Sequence, residues 1–168
     1  MKKITKVFIS VMLLFFVAGC SSSEELTKES TKVYSDNGMS ITLPDKFYEK
    51  DMISFTNYYE SDDTFVTALK ESFKDLESIG LNSKSSLEDY AKIILEGNKL
   101  DSKLYTSEDN KYMYFTYENE ISEKEFYYMG VVYKTDDAFW LINFACEKDN
   151  KSKYSDTFVK WADTVKFE

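Results

Sequence analysis

The chain has 168 residues with 30 Asp and Glu against 21 basic residues, all of them lysine, and a formal charge of −9. Such an acidic surface repels nucleic acid and anionic headgroups, so nucleic acid is not an expected partner. Histidine and arginine are absent, which excludes imidazole bases, Ser-His and Cys-His pairs, the commonest zinc ligand and bidentate arginine clamps. We therefore expect a non-enzymatic protein with no cofactor.

The N-terminus has the pattern of a bacterial lipoprotein signal. Lys2 and Lys3 precede an apolar run over residues 7–17, and small residues lead to Cys20. A positive segment, a short apolar run and small residues before a cleavage point are typical of a secretory signal peptide. The Val-Ala-Gly-Cys sequence over residues 17–20 resembles a lipobox, which predicts removal of residues 1–19 and a diacylglyceryl group on Cys20. The alternative is an uncleaved membrane helix.

A lipid on Cys20 also fixes the expected location. Two acyl chains, at about 0.8 kcal/mol per buried methylene, hold a protein on the bilayer almost permanently. We expect a lipid anchor on the outer, extracytoplasmic face of the cell membrane. Polar residues 20–32 then form the lipidated cysteine and a flexible tether, and residues 33–168 form one domain. The lysine-rich composition fits an AT-rich, Gram-positive source.

The first half of the domain has strand patterns. Residues 33–35 and 39–43 flank an Asp-Asn-Gly turn and stop at Pro44, which predicts a hairpin. Residues 53–59 and 64–70 are rich in aromatic and β-branched side chains and flank a polar turn at residues 61–63, which predicts the next antiparallel pair.

The next part of the chain has apolar residues at helical spacing. Apolar residues recur every three or four positions after Ser86 and stop at Gly97, which predicts a helix, with a weaker helical turn over residues 72–78. Residues 112–118, 124–135 and 138–148 read as a three-strand meander. Residues 150–166 carry one apolar face and predict a C-terminal amphipathic helix.

These elements predict an α+β fold, an antiparallel sheet covered by helices. The Gly-Met-Ser-Ile-Thr-Leu-Pro-Asp segment over residues 38–45, the Ser-Leu-Glu-Asp-Tyr-Ala helix start over residues 86–91 and the Phe-Val-Lys-Trp segment over residues 158–161 resemble the PsbP-like proteins. That superfamily includes Mog-type proteins and many bacterial lipoproteins. The resemblance implies a single-domain α/β/α sandwich that acts in binding or assembly, and it carries no catalytic residues.

Two further features have ordinary structural interpretations. With Cys20 lipidated, Cys146 is the only remaining thiol, so no intramolecular disulfide forms. Cys146 lies in an apolar run over residues 139–146, which favours a small buried side chain over a reactive thiol. Acidic clusters at residues 60–63, 108–110 and 136–137 lack EF-hand spacing, which favours solvated turns over a weak calcium site.

The aromatic side chains are the candidate binding residues. Thirteen Tyr and thirteen Phe concentrate in the predicted strands, and tyrosine suits both a half-buried sheet and a partner surface. Strand alternation places Tyr112 and Tyr114 opposite Met113, Phe115 and Tyr117. The candidate partner-binding residues are Tyr112, Tyr114, Tyr127 and Tyr133.

Three functions stay open at this point. The first is a membrane-anchored, non-enzymatic binding or assembly module for a protein or cell-envelope partner. The second is a lipoprotein that binds a small ligand in a cavity between sheet and helices. The third is a hydrolase that uses carboxylates or a bound metal, which requires a cleft with at least two acidic residues.

Overall fold

The computed structural model describes residues 29–168, so the predicted signal peptide, Cys20 and the tether up to residue 28 lie outside the described residues. Ten strands form two antiparallel sheets. The strands are β1 Thr31–Asp36, β2 Met39–Pro44, β3 Tyr48–Glu49, β4 Asn57–Glu60, β5 Thr64–Ser72, β6 Tyr105–Thr106, β7 Met113–Ile121, β8 Lys124–Lys134, β9 Ala138–Glu147 and β10 Lys166–Phe167.

The large sheet has seven strands in the order β3-β4-β5-β9-β8-β7-β6, with β9 at its centre. Strand β9 pairs with β5 from Ser72 opposite Ala138 to Thr64 opposite Cys146. It pairs with β8 over nearly the same length. Since side chains alternate across a strand, these long registers divide the sheet into two faces that must each be covered.

The small sheet packs on one of these two faces, which we call the near face. Its order is β1-β2-β10, and the predicted hairpin is present. Asn37 and Gly38 have φ of 51° and 80°, the two positive values that a tight two-residue hairpin turn requires. Strand β10 pairs with β2, Lys166 opposite Ser40, and so returns the C-terminus to the hairpin.

Helix α3, Lys151–Ala162, completes the cover of the near face. Its side chains Tyr154, Phe158 and Trp161 are buried with Trp140 and Phe144 of β9 in the larger of two core clusters. At the start of α3, Lys153 and Tyr154 donate hydrogen bonds to Asp63 Oδ2 at 2.8 and 2.6 Å. The turn before β5 is thereby connected to the helix.

The opposite face, which we call the far face, carries α1, Phe73–Leu76, and α2, Leu87–Gly97. Ser86 and Asp89 form a capping box at the start of α2. Tyr90 of α2 stacks on Phe139 with ring centroids 4.5 Å apart. Helix α2 packs against β7 and β8. Helix α1 follows β5 directly and packs at its end, so in the described residues the far face of β4 and of the start of β5 has no helix over it.

The predicted α+β class, with helices on an antiparallel sheet in one domain, is confirmed. Four details differ from the prediction. The strand predicted over residues 53–59 begins at Asn57, because Phe55 N bonds to Met52 O and closes a turn before it. The C-terminal helix ends at Ala162 instead of residue 166, because the chain turns there to pair as β10. The two-residue strands were not anticipated, and β1 begins at Thr31, inside the predicted tether.

A close approach at the sheet centre gives a first prediction. A Cβ on Gly130 of β8 would lie 2.6 and 2.8 Å from ring carbons of Phe115. We expect Gly130→Ala to lower the free energy of unfolding by about 1–3 kcal/mol, as overpacking in a core does. Urea unfolding of the purified protein measures this.

Gly97→Ala is the matched control, because nothing lies within 4 Å of the Cβ it would carry. We expect it to leave the unfolding free energy unchanged or slightly raised, since alanine favours a helix. Equal destabilisation by both substitutions would contradict the packing of Phe115 over Gly130.

The contact between Asp63 and α3 predicts a pH dependence. Burial alone would raise the pKa of Asp63, but hydrogen bonds from Lys153 and Tyr154 outweigh it and hold this pKa below its ordinary value. A carboxylate with a lowered pKa stabilises the fold above its unfolded pKa of about 4, and the contribution is lost as pH falls through the folded pKa. We expect Asp63→Asn to cost up to about 1 kcal/mol at pH 7, a difference that narrows below about pH 4. A constant difference down to pH 2 would contradict this account.

Candidate functional site

Three of the four predicted tyrosines lie in the near-face core. Tyr112, Tyr127 and Tyr133 are 2, 4 and 5% exposed. The hydroxyl of Tyr112 donates to Asp163 Oδ1 at 2.7 Å, and that of Tyr133 to Ala162 O at 2.8 Å, so both bond to the end of α3. Burial, and for Tyr112 also Asp163, raises their pKa above the ordinary value. These rings pack the domain and offer a partner almost no surface.

Tyr114 is the exception in that set. It is half-buried and stacks on Tyr105, with ring centroids 5.2 Å apart and an angle of 20° between the planes. Tyr105 is 41% exposed, with Lys103 Nζ 5.0 Å from its ring centroid. The pair lies at the β6 edge of the sheet. The predicted alternation is confirmed here, since Tyr112 and Tyr114 face the near side and Phe115 and Tyr117 the far side.

A different set of rings lies on the part of the far face that α2 does not cover. Their centroids follow one another from β4 to β7, each within 6.3 Å of the next. We call this set the aromatic row. Its members are Phe55, Tyr58, Phe65, Phe126, Tyr128 and Tyr117.

The strand register explains the row. Phe65 of β5 and Tyr128 of β8 are both paired with Ala145 of β9, and Tyr128 is paired in turn with Tyr117. The rings of Phe65 and Tyr128 lie 5.9 Å apart, and Ala145 is fully buried. Tyr117 and Tyr128 stack at 4.7 Å, 5° from parallel. The row therefore forms its own cover over the small side chain at the sheet centre.

Most of the row is nevertheless reachable from outside. Every member except Tyr128 is half-buried. At one end the row continues into the turn before β4, where Ile53 is 108% exposed, and at the other end Ile121 is exposed on β7. A continuous apolar strip with polar surroundings is the kind of surface that marks interaction sites.

Charges at the border of the row are paired. Lys50 bonds Glu60, whose other oxygen accepts from Tyr58 at 3.0 Å, and Lys124 bonds Glu147 at 2.7 Å. Burial and the bond to Glu60 raise the pKa of Tyr58 to about 12, so its hydroxyl stays protonated at neutral pH. The strip thus presents uncharged rings within a polar border.

A cleft of about 240 Å³ opens beside the row, between the end of α2 and the far face. We call it the α2 cleft. Its apolar lining comes from Ile94 and Leu100 on the helix side and from Phe115, Tyr117 and Leu141 on the sheet. Its polar lining includes Asn98, Asn119 and Asn143. Tyr117 belongs to both the row and the cleft, so the two features form one continuous candidate site.

Comparisons with known proteins bear on the fold. No family model and no curated protein sequence matches the chain. The solution structure of cyanobacterial PsbP (CyanoP) from Synechocystis sp. PCC 6803 is similar at a TM-score of 0.58 and 11% identity, over 89% of this chain and 99% of that one. The fold is PsbP-like. A Bacteroides thetaiotaomicron crystal structure is similar at a TM-score of 0.53 and 11% identity, over 82% of this chain and 48% of that one, so this chain spans about half of that protein.

Metal and membrane features complete the description. Within residues 29–168, no three or more Asp, Glu or Cys side chains are grouped so as to hold a metal ion. In the same part of the chain, none of the helices combines the length and the apolar character needed to cross a membrane.

Sequence reasoning missed the row for a specific reason. Phe65 and Phe126 belong to strands that were predicted, but periodicity does not tell which face a helix covers. One signal was available for the cleft: Asn143 interrupts the apolar run over residues 139–146. An amide in such a run points to a polar site on one face of a central strand.

Cys146 gives a prediction about reactivity. The side chain is fully buried, and burial raises the pKa of its thiol to about 11. We expect almost no alkylation of Cys146 by iodoacetamide at pH 8 in the folded protein and rapid alkylation in urea, because the thiolate is the reactive form. Mass spectrometry of the modified peptide measures both rates. Fast modification without urea would contradict the burial of this strand.

Proposed function

We propose that this protein is a membrane-anchored, extracytoplasmic lipoprotein, attached through Cys20, that binds a protein or cell-envelope partner without catalysing a reaction. The observation that supports it is the aromatic row. In this chain, aromatic rings fill the part of the far face that α2 does not cover. The signal pattern before Cys20 supports the location, and the row supports the activity.

Aromatic rings suit binding for energetic reasons. They bring large apolar area with few rotatable bonds, so little side-chain entropy is lost when a partner covers them. In the row this advantage is increased, since Phe65, Tyr128 and Tyr117 already hold each other in place. A pre-organised apolar strip with a polar border has the anatomy of an interface core and rim.

The hydrolase hypothesis has less support. The acidic turn residue Asp63 is bonded to Lys153 and Tyr154, and Asp109 and Asp137 are paired with Lys111 and Lys70. Asp109 lines an open groove with Glu108 and Asp163, but Lys111 pairs with Asp109 and the Tyr112 hydroxyl donates to Asp163. The sequence predicted turn residues at positions 63, 109 and 137, and in the structure these three carboxylates are also ion-paired.

A second candidate function is favoured by one observation. The α2 cleft is a concave site between helix and sheet with an apolar lining and a few amides, which is the general form of a small-molecule site. At about 240 Å³ it is smaller than the roughly 300–1,000 Å³ of most ligand pockets, so it suits a small ligand.

A crosslinking pull-down from native membranes tests the main proposal. The full chain carries a C-terminal tag, and the wild type is compared with Phe126→Ser in the row and Tyr105→Ser at the β6 edge. Both substitutions remove a ring from the surface of the sheet, but only Phe126 belongs to the row. We expect one partner to be recovered with the wild type and Tyr105→Ser, and recovery to fall at least about tenfold with Phe126→Ser.

Thermal unfolding of each variant is the control, because a partner lost through misfolding says nothing about the surface. A Cys20→Ser arm tests the anchor separately, and we expect an alkyne-tagged fatty acid to label the wild type in cells but not that variant. Undiminished recovery with a stably folded Phe126→Ser protein would refute the row as the binding surface. Equal fatty-acid labelling of Cys20→Ser and the wild type would refute the lipid anchor at Cys20.

A further inference from the structure

We propose that the α2 cleft binds an uncharged, polyhydroxylated ring, the chemical class of a sugar residue. This inference rests on the second candidate function and names its ligand. Binding of a single ring in the cleft does not require the partner proposed for the aromatic row.

The walls of the cleft suit a flat ring that has an apolar face. Ile94 and Leu100 line it from the helix side, and the ring of Tyr117 lines it from the sheet. Tyr117 is held by stacking on Tyr128 at 4.7 Å and by Phe115, whose centroid lies 6.0 Å away. A pyranose carries C–H groups on its faces and hydroxyls on its edge, so its face packs on such a wall.

The polar groups of the cleft are mainly amides. Asn143 Oδ1 accepts from the Tyr117 hydroxyl at 3.3 Å, which leaves its Nδ2 as a donor. Asn98 Nδ2 donates to Ile94 O at 2.8 Å, which leaves its Oδ1 as an acceptor. Asn119 adds an exposed amide. A hydroxyl both donates and accepts, so a lining that mixes donors and acceptors matches hydroxyls better than ions.

The charges in the cleft also favour an uncharged ligand. Glu118 is the one charged residue in the lining, and it is bonded to Lys148 at 3.0 Å and Lys151 at 3.2 Å. No lysine belongs to the lining, so a phosphate or carboxylate finds no cation there. The paired carboxylate likewise offers little to an amine. Burial raises the pKa of the Tyr117 hydroxyl, which keeps it neutral and able to donate. The ligand that fits is uncharged.

The size of the cleft limits the ligand to about one ring. Two sources share this chemistry: a free sugar, or one unit of an envelope glycan that continues along the aromatic row from Tyr117. A monosaccharide and its dimer separate these sources. Tighter binding of the dimer indicates a glycan chain, and equal binding indicates a free sugar.

The test uses the full chain in detergent micelles and saturation-transfer NMR. The probes are glucose, N-acetylglucosamine and its β-linked dimer, with glucose 6-phosphate as the charged comparison. We expect dissociation constants near the millimolar range for the neutral sugars and at least about tenfold weaker binding of glucose 6-phosphate.

Three variants assign the site. Asn143→Leu keeps a similar volume and removes the amide, and we expect binding to weaken at least about tenfold. Tyr117→Phe removes only the hydroxyl that bonds Asn143, and we expect about threefold weakening. Tyr105→Phe removes a hydroxyl on the opposite face and should leave binding unchanged. Thermal unfolding confirms that each variant is folded.

Two outcomes overturn the inference: no neutral sugar binds at about 10 mM, or a folded Asn143→Leu protein binds as the wild type does. Phenol, a small apolar probe, then separates a wrong ligand class from failure of the second candidate function, that the cleft binds small ligands. If phenol binds the wild type and not Asn143→Leu, the cleft still holds small ligands and only the ligand class is wrong. If phenol, like the sugars, does not bind the wild type, the second candidate function fails as well.

Discussion

Strand β9 has apolar side chains on both of its faces and long antiparallel partners on both of its edges. Trp140 and Phe144 face one side, and Phe139 and Leu141 the other. Each side must be removed from water, and the domain does this unequally. Helix α3 and the small sheet cover most of the near face. On the far face, α2 covers β7, β8 and Phe139 of β9, and α1 covers the end of β5. The aromatic row completes the cover where no helix lies, and it is the feature from which the proposed function follows.

Because the two faces of the large sheet are covered unequally, a chain without histidine or arginine still has surfaces suited to specific recognition. The charged side chains that border the row are paired with each other, as in Lys50–Glu60 and Lys124–Glu147. The uncharged surfaces are then the distinctive ones: a strip of mutually stacked rings and a cleft lined by amides. Both suit recognition by shape and by neutral hydrogen bonds, and both lie on the far face of the large sheet.

The fold was largely predictable because its signals are local. The Asn37-Gly38 turn, the capping residues Ser86 and Asp89 and the alternation in β7 and β8 all act within a few residues. Strands β3, β6 and β10 were missed because two residues show no periodicity and pair only through tertiary contacts. The site was missed because it depends on which face α2 covers. Tyr112 and Phe65 look alike in the sequence, and the packing of the helices alone makes one core and the other surface.

Hydroxyl-radical footprinting tests the central claim most directly, because it measures the exposure of individual rings before and after a partner binds. The same full chain is oxidised in purified form and in native membranes, and the modified peptides are quantified. The account predicts oxidation of Phe65 and Phe126 in the purified protein, protection of both in membranes, oxidation of Tyr105 in both states, and little oxidation of Phe144 in either. Equal oxidation of Phe65 and Phe126 in both states, or protection confined to Tyr105, would contradict it.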